Sequence, residues 1–151
     1  MEADELRQQV DFGLENLDKV FQNIQKFSRD DIEQDLKVSA LSYECLGYYN
    51  AIEHLMIRFL KFLKIAIPTG AFSHRDTIKT FEAAFAEMKI QPEIVKAIDD
   101  LMGFRHVATK IYGFLLDWQR LKRVTDQILN YHTDIKQVFV NAVEIINKSR
   151  G

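Results

Sequence analysis

The sequence is short of the residues that make turns and cross-links, with 6 glycines, 2 prolines and 1 cysteine in 151 residues. So few turn formers argue against a strand-and-turn architecture, which needs them at every chain reversal. A single cysteine, Cys45, excludes an internal disulfide and makes a reducing, cytoplasmic setting the expectation. Cys45 sits among apolar residues, so it reads as a small buried hydrophobe rather than a nucleophile. No apolar run approaches the ~20 residues that span a bilayer, so no membrane association is expected. Residues 1–10 are too acidic and polar for a signal peptide. A charge excess is missing too. The formal net charge of -2 supplies no global field for nucleic acid, although it leaves room for a local basic groove.

The chain does have ordinary globular proportions, 47% hydrophobic and 28% charged residues, and a length suited to one domain over 1–151. Apolar residues recur at three and four positions, which predicts an all-α antiparallel bundle of five helices. The first covers 4–27, with Leu6, Val10, Leu14, Leu17, Phe21 and Ile24 on one stripe. The second covers 31–64 and carries two apolar faces, so it is expected to be the covered central rod. After a Pro/Gly loop, Ser73 reads as the N-cap of a third helix with Asp76 three positions on. Pro92 suits the first turn of a fourth helix, whose stripe runs from Ile94 to Leu115. Asp117 caps the fifth, which is expected to fray from Asn147.

Chemical motifs are scarce. No Gly-rich phosphate loop and no paired Cys or His at metal-ligand spacing are present, so neither a metal nor a cofactor is expected. His54, His74, His106 and His132 are scattered along the chain. One segment asks for explanation, residues 104–113 of the fourth helix. At 100° per residue, Arg105 and Tyr112 lie within about 20° of each other at the edge of the apolar stripe. His106 and Lys110 share a different face. A half-buried arginine needs partners for its donors, and Glu53 or Asn50 on the second helix is a candidate. From the residues alone the reading is an Arg–Glu pair that fixes helix register, with Tyr112 as packing.

With these residues the chain resembles the HepT-like branch of the HEPN superfamily, small helical toxins usually encoded beside a minimal nucleotidyltransferase antitoxin. The family's mark is an Arg, four to six residues, a His, one residue and a Tyr, late in the fourth helix. Arg105 through Tyr112 match it, with Phe104 before and Gly113 and Asp117-Trp118 after, and Arg105-His106 repeats a common opening of the motif. Tyr48-Tyr49-Asn50-Ala51-Ile52-Glu53-His54 resembles the second-helix signature, and Ser73-His74 fits the start of the third helix. One departure matters, since Lys110 occupies the position of the family's His, and Thr109 precedes it where many relatives have Arg.

The resemblance implies a homodimer whose two motifs share one cleft, and metal-independent RNA cleavage by attack of the ribose 2′-OH on the adjacent phosphate. A His would move protons and Arg105 would stabilise charge on the phosphoryl oxygens. A lysine titrates well above neutrality, so Lys110 is a charged donor and a poor base. His106 is the substitute base this leaves. Tyr112 matches the tyrosine that the partner nucleotidyltransferase adenylylates in some relatives. A bulky negative group there would neutralise the field of Arg105. The alternative is a catalytically inactive module that grips RNA or a nucleotide, or completes a nucleotidyltransferase complex.

Overall fold

The computed structural model describes residues 2–109 and 117–150. Five helices make up its architecture, with no strand among the described residues: α1 (Ala3–Phe27), α2 (Gln34–Phe62), α3 (Ser73–Ala84), α4 (Pro92–Ala108) and α5 (Trp118–Arg150). A single 3-10 turn, Ala86–Met88, joins α3 to α4. The all-α bundle read from the periodicity is therefore what the chain forms.

Helix α2 is the rod that the other four helices pack against. Its two apolar faces explain this, because Leu41, Cys45, Tyr48, Tyr49, Ile52, Leu55, Met56 and Phe59 are all buried. On α1, Leu6, Val10, Leu14, Leu17 and Ile24 are buried at helical spacing. Gly13 lets α1 approach α2 closely, since a Cβ there would stand 2.6 Å from Leu55 Cδ2. The centre of the bundle is aromatic. Phe59 lies 5.8 Å from Phe81, 5.4 Å from Phe85 and 6.3 Å from Phe139 between ring centroids, spacings that favour edge-on and offset contact.

Helix ends depart from the sequence expectation for local reasons. Helix α2 starts at Gln34 rather than 31, because the Glu33 carboxylate accepts from the backbone N–H groups of Asp35 and Leu36, both at 3.1 Å. Asp31 is left outside, paired with Arg29 at the surface. At the other end, Lys64 takes a left-handed φ of 59°, its N–H bonds Lys61 O, and Ile65 N–H reaches back to Leu60 O. Those two bonds form a Schellman stop made without glycine. Ser73 does not cap α3. Asp76 N–H bonds Phe72 O, so the first turn begins one residue earlier and Ser73 is already helical. Pro92 does open α4, and Asp117 does cap α5, its Oδ1 accepting from Gln119 N–H at 2.9 Å. Helix α5 continues through the residues expected to fray, to Arg150. The expected continuation of α4 to Leu115 falls on residues outside those described.

Candidate functional site

Three helices bring four polar side chains together. Asn50 and Glu53 sit one turn apart on α2, His74 lies in the first turn of α3, and Arg105 in the last turn of α4. Arg105 Nε donates to Asn50 Oδ1 at 3.1 Å. Arg105 Nη1 meets His74 Nε2 at 3.0 Å, and His74 Nδ1 meets a Glu53 carboxylate oxygen at 2.6 Å. An arginine only donates, so His74 Nε2 must be the unprotonated nitrogen. The imidazole is therefore neutral, and its Nδ1–H donates to Glu53. A doubly protonated ring would turn an N–H against the guanidinium.

Both candidate partners of Arg105 are thus in place, but not as the simple pair expected. Asn50 binds the guanidinium directly and Glu53 binds it through His74. Among the described residues no carboxylate forms an ion pair with Arg105. Two of its five N–H donors are used, leaving three that make no hydrogen bond to the described residues. The positive charge is fixed in direction, partly exposed and not cancelled by direct contact with an acid.

The floor of the site is Tyr49, fully buried, with its ring edge-on to His74 at 6.3 Å between centroids. Burial, and after it the nearby Glu53 carboxylate, push the Tyr49 phenol well above its ordinary range, so it stays protonated. Its oxygen has no hydrogen bond of good geometry among the described residues.

Beside this cluster opens a hollow of about 270 Å³, walled by His74 and Arg75 of α3, Gly103 and His106 of α4, and Arg120 of α5. Phe72 forms its rim at 64% exposure, with the Arg75 guanidinium 5.5 Å from the ring centroid. Gly103 keeps the wall thin, since a Cβ there would stand 3.1 Å from Arg120 Nη2. Cationic and aromatic groups side by side suit a phosphate and a base. His106 is exposed on this wall and makes no side-chain hydrogen bond to the described residues. Lys110 and Tyr112 lie outside the described residues. Sequence reasoning left His74 without a role, because nothing local ties it to an arginine 31 positions away. Its place at the start of α3 was the only signal.

Ile94, Ala97, Ile98, Leu101 and Phe104 are buried within the bundle. Among the described residues the large exposed apolar side chains are Phe12, Leu36, Tyr43, Leu63 and Phe72. No described helix is long and apolar enough to cross a membrane, and the described residues hold no group of three His, Cys, Asp or Glu suited to a metal.

Residues 40–145 match the model of a family described as HepT-like protein. That span contains Asn50, Glu53, His74 and Arg105. Comparison with curated proteins and with solved structures gives no match.

Proposed function

The chain belongs to the HepT-like protein family, and from that premise we propose that it is the toxin of a toxin–antitoxin pair, an RNA-directed HEPN-type domain held in check by a minimal nucleotidyltransferase. The observation that carries this reading is Arg105. Its guanidinium is aimed by Asn50 and His74, keeps three donors available among the described residues, and stands next to a hollow walled by Arg75, Arg120 and His106. An internal Arg–carboxylate pair would have argued for a purely structural arginine. Neutral partners instead orient the cation without cancelling it, as a phosphate anchor requires.

In this reading Arg105 binds a phosphoryl oxygen of RNA and stabilises the charge that grows there as the ribose 2′-OH attacks. Phe72 offers a stacking face for a neighbouring base. The protein acts in the cytoplasm as a homodimer that brings two such sites to one groove, and the exposed Phe72 beside the hollow supports contact at that rim. Tyr112 is the residue on which the antitoxin would place a nucleotidyl group, whose negative charge would neutralise Arg105. The domain extends over 1–151 as a single unit.

A second reading is favoured by one residue. Lys110 stands where the family's proton-transferring His is found, and this suits an inactive RNA-binding module or a partner subunit of the nucleotidyltransferase. Incubating purified protein with RNA in chelator decides between them. The nuclease reading expects cleavage that Arg105→Ala abolishes. An inert wild type that gains cleavage as Lys110→His supports the binding module. If neither protein cleaves or binds RNA, both readings fall.

A further inference from the structure

If the site cleaves RNA, a base is required, and Lys110 is a poor one. We infer that His74 is the general base of this chain, taking the 2′-hydroxyl proton on its Nε2 while Glu53 holds the ring. The inference rests on the RNA-cleaving reading and adds to it a residue from outside the fourth-helix motif.

Geometry carries the argument. The Nε2 lone pair of His74 is 3.0 Å from the guanidinium that would hold the phosphate, and the opposite nitrogen donates to Glu53 at 2.6 Å. That is the arrangement of a carboxylate-oriented base: the acid fixes the tautomer and stabilises the imidazolium that forms. The imidazole side chain is 35% exposed, on the wall of the hollow, so a ribose can reach it. Glu53 is more shielded, at 17%, as an orienting residue should be. His106, the base expected from the sequence, has no such orienting carboxylate among the described residues.

The step balances without a metal. As phosphate oxygen takes over a donor of Arg105, His74 Nε2 is released from its bond to Nη1. The proton of O2′ passes to Nε2, and the O2′ electron pair forms the O2′–P bond. The P–O5′ bond breaks with its pair going to O5′, which takes a proton from solvent water. The products are a 2′,3′-cyclic phosphate and a 5′-hydroxyl, and His74 returns its proton to solvent.

The charged and titratable groups around His74 come from four helices: Glu53 and Tyr49 of α2, Arg75 of α3, Arg105 and His106 of α4, and Arg120 of α5. The test must therefore assign the pH dependence by substitution. We expect wild-type kcat/KM in chelator to climb with pH and level off as an imidazole loses its proton. His74→Gln, which keeps an acceptor but cannot serve as the base, should lose that limb and at least about a hundredfold in rate. It should still bind a uniformly 2′-O-methylated oligoribonucleotide within about threefold of wild type. His74→Ala should regain cleavage in proportion to added imidazole, and Glu53→Gln should slow cleavage less than His74→Gln does. Cleavage by His74→Gln at the wild-type rate, or a limb that vanishes in His106→Gln instead, overturns the assignment and leaves the nuclease reading intact. A wild type that binds the methylated strand and cleaves no RNA overturns both.

Discussion

Replacing Asp18 by alanine probes how the bundle tolerates a buried histidine. His132 of α5 is 6% exposed and stacked on Phe21 with ring centroids 3.9 Å apart. Its Nε2 meets Asp18 Oδ1 of α1 at 2.7 Å, and its Nδ1 meets the Tyr48 hydroxyl of α2 at 2.8 Å. A carboxylate only accepts, so Nε2 carries the proton and the neutral ring accepts from Tyr48. Lys136 Nζ donates to the other Asp18 oxygen at 2.9 Å. Removing the carboxylate leaves the buried N–H unpaired, which costs about 1–3 kcal/mol, and loses a half-exposed ion pair contributing at most about 1 kcal/mol. The sum, about 1–4 kcal/mol, lowers Tm by roughly 2–16 °C for a chain of this length.

Acid should widen the difference. Burial, the largest influence, sets His132 below its ordinary 6.5, although Asp18 opposes this by favouring the imidazolium. The unfolded chain then binds the proton more readily than the folded one. The stability tied to His132 is complete above about pH 6.5 and is lost as pH falls below it. Asp18→Ala removes the opposing carboxylate, so its folded-state His132 titrates lower still and the variant loses more stability over that window. Denaturant unfolding at pH 7 and about pH 5, with wild type and variant compared at each, measures both effects. A variant within about 0.5 kcal/mol of wild type at neutral pH, or with the same loss on acidification, refutes the reasoning.

Two further outcomes follow from backbone and burial. Lys64→Gly should raise stability by about 0.5–1 kcal/mol in denaturant unfolding, because glycine takes the left-handed φ of 59° that ends α2 without the steric cost that lysine bears there; an unchanged or lower midpoint would refute it. Burial pushes the Cys45 thiol up to about 12, with Thr125 Oγ1 3.5 Å away. An aromatic disulfide reagent should therefore modify it only at the rate of unfolding at pH 8, and rapid labelling of the native protein would contradict that.

Much of the bundle could be read from spacing alone, because the apolar stripes of α1, α4 and α5 are the surfaces that α2 covers. Pro92 and Asp117 marked helix starts through chemistry confined to one turn, which a linear reading sees. Glu33 was hidden as a cap by Asp30 and Asp31 just before it, all able to accept from a first turn. Ser73 failed as a cap because Phe72 O already receives the Asp76 N–H. The site was legible only in part. Asn50, Glu53 and Arg105 stood out as polar residues beside apolar stripes, and the structure brings all three together. His74 and His132 could not be paired from the sequence, since Arg105 is 31 positions from one and Asp18 is 114 from the other. Such contacts exist only once the helices pack.

The Arg105 guanidinium as a phosphate anchor is the claim on which the function turns. Its most direct measure is the salt dependence of binding to a uniformly 2′-O-methylated oligoribonucleotide, for wild type and for Arg105→Ala. We expect roughly tenfold weaker binding by the variant and a slope of log K against log salt reduced by about 0.7, the loss of one single-strand phosphate contact. Equal affinity and equal slope in the two proteins would contradict it.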